Sequence, residues 1–298
     1  MLPPDRSHIA TEQRNPASAR LHELDVAGIV ALMNAANRDV VAALDAAQDA
    51  LAGFIAAVEP GFLRGGRLIY LGAGTSGRLG VLDASEAPPT FCVPPDRIIG
   101  LIAGGDGALR KSSEGKEDEF DGAVPELAAL NLTANDAVLG IAAGGTTPYA
   151  LGALTWAKRT VPGICTGLMT CAAVPKPADA DHLILLATGP EVLTGSTRLK
   201  AGTATKLALN TISTALMVRS GKVYGNLMVD VRATNAKLRD RAARIITTLT
   251  GVERTVAFAL LDQADGSAKV AVAMQRLGVD RTAAEARLAA VGGRLDRI

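Results

Sequence analysis

Apolar residues from Val26 to about Val58 recur at helical spacing, through Ile29, Val30, Leu32, Met33, Val40, Val41, Leu44, Leu51 and Ile55, with alanines interleaved. That period predicts one long helix or a broken pair, ended by Pro60-Gly61. The period then changes. Short apolar runs follow at Arg67–Leu71, Ile98–Ala103, Ala137–Ala142, Gly163–Met169 and His182–Leu186, most of them separated by helical or turn-rich segments. Continuous apolar strands alternating with helices predict a parallel sheet covered on both faces. Right-handed crossovers would set the loops that follow the strands along one edge, where open α/β sheets bind ligands. Between the fourth and fifth runs, Pro175 and Pro177 favour a loop over a full helix. A helical pattern returns from Lys200 to about Ser220. After Lys222-Val-Tyr-Gly-Asn it continues through Ala236–Thr250, Val252–Asp262, Ser267–Leu277 and Arg281–Val291, with Gly251, Gly266 and Gly278 as punctuation. Residues 1–25 are polar and irregular, and Pro3, Pro4 and Pro16 discourage helix there.

The expected fold class is therefore α/β, a parallel five-stranded sheet flanked by helices, with N-terminal helices and a small C-terminal helical appendage. Expected boundaries are 1–60 for the N-terminal segment and long helix, 61–235 for the α/β domain and 236–298 for the helical part. The chain's 298 residues, 48% of them hydrophobic, suffice for that core. A net charge of +1, with no like-charge block, gives no reason to expect nucleic acid or an anionic membrane as partner. No uninterrupted apolar run reads as long enough to span a bilayer, and the opening Met-Leu-Pro-Pro-Asp-Arg lacks a signal-peptide layout. Cys92, Cys165 and Cys171, like His8, His22 and His182, are scattered without metal-ligand or disulfide spacing. A cytoplasmic chain with a small-molecule partner and no metal or cofactor is expected.

The chemistry concentrates in loops. The first strand runs into Gly72-Ala-Gly74-Thr75-Ser76-Gly77-Arg78, formally the glycine pattern of dinucleotide folds. The next strand, however, ends near Ala103-Gly-Gly-Asp106 without an acid at the distance a ribose hydroxyl needs. Hydroxyls at Thr75 and Ser76 suit a phosphate monoester cradled by backbone N–H groups at a helix N-terminus. The third strand ends in Gly144-Gly145-Thr146-Thr147-Pro148, and Gly195-Ser196-Thr197-Arg198-Leu-Lys200 repeats the recipe before the long helix. Three such loops on strand-to-helix edges outline one concave anion site. Asp83 reads as structural, whereas Glu86, ahead of the Pro88-Pro89 turn, is the better catalytic candidate. By spacing alone, Glu114-Gly-Lys-Glu117-Asp-Glu119 reads as a solvated acidic helix start.

The runs Gly65 to Gly80, Asp83-Ala-Ser-Glu86, Gly189 to Thr203 and Lys222 to Val231, with Thr11-Glu-Gln-Arg-Asn15 and Ser18, resemble the N-acetylmuramic acid 6-phosphate etherases over nearly the whole chain. That resemblance implies a sugar-isomerase (SIS) domain, a homodimer acting in peptidoglycan recycling, and a carbon–oxygen lyase that releases D-lactate. It places the acid on Glu86 and the base on Glu117, against the bland reading of the latter. Gly74, Thr75, Ser76, Gly145, Thr146, Thr147, Ser196, Thr197 and Lys200 are the implied substrate-binding set. One departure stands out: many relatives carry serine and arginine where this chain has Gly144 and Thr146. Two rivals share the fold: a phosphosugar isomerase, and a non-catalytic sensor akin to glucokinase regulatory protein. That protein carries two SIS domains, and this chain has room for one.

Overall fold

The computed structural model describes residues 5–111, 113–233 and 235–298; Pro3 and Pro4, read above as helix-discouraging, lie outside the described residues. The chain forms two compact units, one of residues 1–85 and 95–212, the other of residues 86–94 and 213–298.

In the first unit the long apolar period of the N-terminal region resolves into α1 (Val26–Ala36), α2 (Arg38–Ala46) and α3 (Gln48–Leu63). Asn37 and Ala47 break it, neither offering a side-chain cap to the helix it precedes. Pro60-Gly61 does not end α3, contrary to expectation. A proline removes a donor but leaves its carbonyl, and Pro60 O still accepts from Arg64 N at 3.3 Å. Gly61 belongs inside the helix because a Cβ there would stand 2.4 Å from Asn135 O. By length and composition, Val26–Ala46 is apolar enough to cross a membrane, with mean hydropathy 1.2. It nevertheless carries Arg38, Asp39 and Asp45 as well as the break.

The strands β1 (Leu68–Gly72), β2 (Ile98–Ile102), β3 (Ala137–Ile141), β4 (Cys165–Thr170) and β5 (His182–Leu185) form one parallel sheet in the order β2-β1-β3-β4-β5. β1 and β3 are buried at every position, which accounts for their unbroken apolar character. Helices α4 (Gly74–Phe91), α5 (Val124–Ala129), α6 (Pro148–Thr160) and α7 (Lys200–Arg219) accompany them. The segment from 171 to 181 is loop, as Pro175 and Pro177 require. Helix α4 is longer than expected and runs through Pro88-Pro89, ending where Cys92 adopts φ 50 after its N–H meets Pro88 O. Strand order reverses at β1: the chain leaves it for β2 on one side and returns to β3 on the other. This is a topological switch point, so the loops after β1 and β3 flank one crevice.

In the second unit a small hairpin, β6 (Val223–Tyr224) with β7 (Leu227–Met228), precedes α8 (Ala236–Thr250), α9 (Arg254–Gln263), α10 (Ala268–Leu277) and α11 (Arg281–Ala290). Asn235, Ser267 and Asp280 cap the N-termini of α8, α10 and α11 through side-chain oxygens. Gly251 and Gly278 close α8 and α10 in the left-handed conformation. Ile246, Leu261, Val272 and Leu288 meet Val229 and Val231 in one core. Lys269 is buried there, its Nζ donating to Gly221 O, Asp230 Oδ2 and Gly293 O at 2.8–2.9 Å. Desolvation lowers its pKa, while Asp230 works in the opposite direction.

Candidate functional site

Glycine packing shapes the mouth of the crevice. A Cβ on Gly77 would meet Gly72 O at 2.5 Å and Ile102 Cγ1 at 2.6 Å, so only glycine lets the first turn of α4 sit down on the end of β1. Gly74 takes a positive φ of 51° as the strand gives way to the helix. Gly74, Thr75 and Ser76 of that first turn line a cleft of about 200 Å³.

The loop after β3 forms the opposite wall. Gly145 turns the chain, its N–H donating to Ala142 O at 2.8 Å, with Val174 and Thr170 filling the space a side chain would need. Thr146 and Thr147 then line the cleft, and Pro148 opens α6. Thr147 is the N-cap of α6, yet its hydroxyl makes no cap hydrogen bond. Tyr149 N donates to Glu117 O at 3.0 Å, pinning the Glu117 backbone beside the start of α6, and Glu117 is among the cleft's lining residues. Thr197 completes that side. Its loop is held by the fully buried Glu191, whose carboxylate accepts from Lys200 N at 3.0 Å and Ala201 N at 2.9 Å at the start of α7.

Of the residues expected to bind substrate, Gly74, Thr75, Ser76, Thr146, Thr147 and Thr197 are gathered with Glu117 around this one cleft. Gly145 shapes the turn without lining the cleft, and Ser196 also stays out of the lining. Lys200, also expected to bind substrate, is not among the cleft's lining residues. Its side chain is 3% exposed and its Nζ lies 2.8 Å from Asp39 Oδ2, an ion pair that ties α7 to α2. Glu86 is exposed on α4, in the stretch that belongs to the second unit, and is not among the cleft's lining residues. Asp83 accepts from the buried Tyr70 hydroxyl at 3.2 Å, and burial, reinforced by the Asp83 charge, raises the tyrosine's pKa.

Sequence reasoning missed one wall. Arg6, Ile9 and Glu12, from the segment read as irregular, also line the cleft. Asn15 Nδ2 anchors that segment by donating to Pro190 O at 3.1 Å. The only signal was the Thr11-to-Asn15 string. Thr11 is fully buried, and its hydroxyl has no hydrogen-bond partner among the described residues. A Cβ on Gly144 would lie 3.9 Å from both Thr11 Oγ1 and Thr146 Oγ1, so the glycine leaves room at the point where a serine would sit.

The chemistry of the cleft follows from this donor set. The hydroxyls of Thr75, Ser76, Thr146, Thr147 and Thr197 form no hydrogen bonds among the described residues, and two helix N-termini open beside them. Neutral donors and helix dipoles suit a phosphate monoester. The charged residues among the described lining are Arg6, Glu12 and Glu117, so carboxyl-bearing residues share the cleft with these hydroxyls. Among the described residues no cluster of three His, Cys, Asp or Glu could hold a metal ion. Cys171 is buried against α7, and burial pushes its thiol up to about 12, away from nucleophilic use.

Residues 50–158 match the family model described as the glucokinase regulatory protein N-terminal SIS domain. An N-acetylmuramic acid 6-phosphate etherase of Gloeobacter violaceus is 52% identical over 293 residues, covering 98% of this chain and 95% of that one. The protein of the same name from Thermosynechococcus vestitus is 52% identical over 272 residues, covering 91% and 88% respectively. A third, from a Synechococcus species, is 50% identical over 285 residues, covering 95% and 90%. With identity at this level along almost its entire length, the chain belongs to the N-acetylmuramic acid 6-phosphate etherase family.

Proposed function

We propose that this chain cleaves the D-lactyl ether of N-acetylmuramic acid 6-phosphate, giving N-acetylglucosamine 6-phosphate and D-lactate. The observation that carries the reading is the cleft: hydroxyls without a hydrogen-bond partner among the described residues and two helix N-termini for the phosphate, with Glu117 beside them. In the ring-opened sugar the C1 aldehyde acidifies the C2 proton. Glu117 takes that proton, the electron pair forms the C2–C3 double bond, and the C3–O bond breaks. Glu86 delivers a proton to the departing lactate oxygen. Water then adds across the double bond, its oxygen to C3 and a proton to C2. The bond is an ether and not a glycosidic link, so oxocarbenium stabilisation has no part in the reaction. General acid–base catalysis by two carboxyl groups suffices in kind.

The working form is a homodimer in the cytoplasm. Val26, Ile29 and Val30 on α1 and Val41 on α2 are 79, 38, 53 and 57% exposed, an apolar surface that a second copy would bury. Glu86 is exposed, and in the homodimer the sites are completed across subunits. The match to the regulatory-protein SIS model favours a second reading, a sugar-phosphate sensor without turnover. D-lactate release from N-acetylmuramic acid 6-phosphate separates them, run beside Glu86→Ala and Glu117→Ala with deuterium exchange followed at C2. Lactate from wild type, with exchange surviving only in Glu86→Ala, supports the assigned roles. Binding without lactate from folded wild type would hand the reading to the sensor, and a ketose phosphate would hand it to an isomerase.

A further inference from the structure

The cleft holds a carboxylate that the reaction as written does not use. Glu12 lines it together with Glu117, and no hydrogen bond or ion pair engages the Glu12 side chain among the described residues. Its position is set by the fold: a Cβ on Gly195 would stand 3.3 Å from Glu12 Oε2, so the loop that carries Thr197 leaves space for this carboxylate. The Asn15–Pro190 hydrogen bond fixes the same segment against that loop. A carboxylate beside a phosphate site is electrostatically unfavourable for the anion. Its presence is understandable if it meets another part of the ligand. An ionised carboxylate is acceptor-only, and the groups on a sugar phosphate that can donate to it are the sugar hydroxyls and the acetamido N–H.

We propose that Glu12 is a substrate-contacting residue that accepts hydrogen bonds from the sugar portion, making the N-terminal segment the wall that distinguishes a sugar phosphate from bare phosphate. Arg6, the only cation among the described lining residues, offsets part of the charge that Glu12 adds. The inference rests on the reading of this cleft as a sugar-phosphate site.

Two ligands of different reach test it by the sign of the effect. If Glu12 acted only as a charge, Glu12→Gln would tighten both inorganic phosphate and N-acetylglucosamine 6-phosphate. If it holds the sugar, phosphate affinity stays equal or improves. Affinity for N-acetylglucosamine 6-phosphate and kcat/KM for lactate release then fall on the order of 10- to 100-fold, the share of a hydrogen bond to a charged group. Isothermal titration with wild type, Glu12→Gln and Glu12→Ala reads both ligands, and circular dichroism confirms that the exposed substitution leaves the fold intact. Both ligands tighter, both unchanged or both weaker would overturn the assignment. A wild type that releases no lactate refutes the etherase reading alone, because the two-ligand comparison still decides the role of Glu12.

Discussion

Thr147 offers a clean separation of folding from binding. A threonine at a helix N-cap ordinarily accepts from an amide of the first turn, and losing that bond costs about 0.5–2 kcal/mol. In this protein the α6 cap makes no such bond, and its backbone sits in the extended region that suits a β-branched residue. Thr147→Val keeps shape and branching and deletes only the hydroxyl. The ligand-free protein should therefore lose less than about 0.5 kcal/mol, an effect of roughly 2 °C or less in Tm. Binding should change far more. A hydroxyl donating to a phosphate oxygen contributes about 1.5–3 kcal/mol, so Kd for N-acetylglucosamine 6-phosphate rises by roughly 10- to 100-fold. Ligand stabilisation amplifies the contrast. At a ligand concentration of about 100 times the wild-type Kd, binding adds about 2.7 kcal/mol to wild type, whereas a 30-fold weaker variant keeps about 0.9 kcal/mol. Thermal melts with and without ligand, beside isothermal titration, measure both quantities. A variant that melts several degrees lower without ligand and binds as wild type would refute the reasoning, because the hydroxyl would then be a cap and not a ligand contact.

Co-expressed Glu86→Ala and Glu117→Ala subunits should recover about a quarter of wild-type lactate release. Random pairing makes half the dimers mixed, and in a shared-site dimer each mixed pair holds one of its two sites intact; a mixture as inactive as its parents would confine both glutamates to one chain. Asp136 should govern part of the acid limb of stability. It is desolvated, which alone would raise its pKa, yet the Arg67 guanidinium at 3.0 Å and the amides of Thr133 and Arg67 hold it below the usual aspartate value. A depressed folded pKa contributes stability that is present above the unfolded value of about 3.9 and is lost as pH falls through the folded one. Asp136→Asn should thus lower the urea midpoint at neutral pH and flatten its dependence below about pH 4; an unchanged acid limb would count against the assignment.

The strands were legible because sheet burial on both faces writes continuous apolar runs, and β1 and β3 are buried throughout. The loops that line the cleft were legible for a different reason. Switch-point chemistry needs glycine where helix meets strand, as at Gly77, and hydroxyls where amides converge, as at Thr146 and Thr147. What escaped were features set by distant partners. The breaks at Asn37 and Ala47 leave the apolar period almost undisturbed, so the pattern could not place them. The continuation of α4 through Pro88-Pro89 escaped because a proline pair deletes donors without forbidding helical dihedrals. Residues 6–12 carry no period at all, and their place in the cleft depends on Asn15 reaching Pro190 across 175 positions. The Lys200–Asp39 pairing escaped in the same way, since the two lie 161 positions apart.

The fate of Lys200 also bears on how this cleft manages charge. An ammonium directed at the substrate would strengthen phosphate binding, but it would sit beside Glu117 and stabilise the carboxylate, weakening it as a base. Lys200 is paired with Asp39 and is not among the lining residues, and the loop after β3 presents Thr146 to the cleft. In the proposed site, phosphate recognition falls to amides, hydroxyls and helix N-termini, which attract an anion, with Arg6 the only cation among the described lining residues. Neutral donors also point in fixed directions, so they orient the phosphate, and with it C2, relative to a carboxylate whose backbone is pinned at Tyr149 N. Substituting arginine at Thr146 should then trade one property for the other: tighter sugar-phosphate binding with slower C2 deuterium exchange. Tighter binding with unchanged or faster exchange would show that an added cation at this loop does not weaken Glu117 as a base.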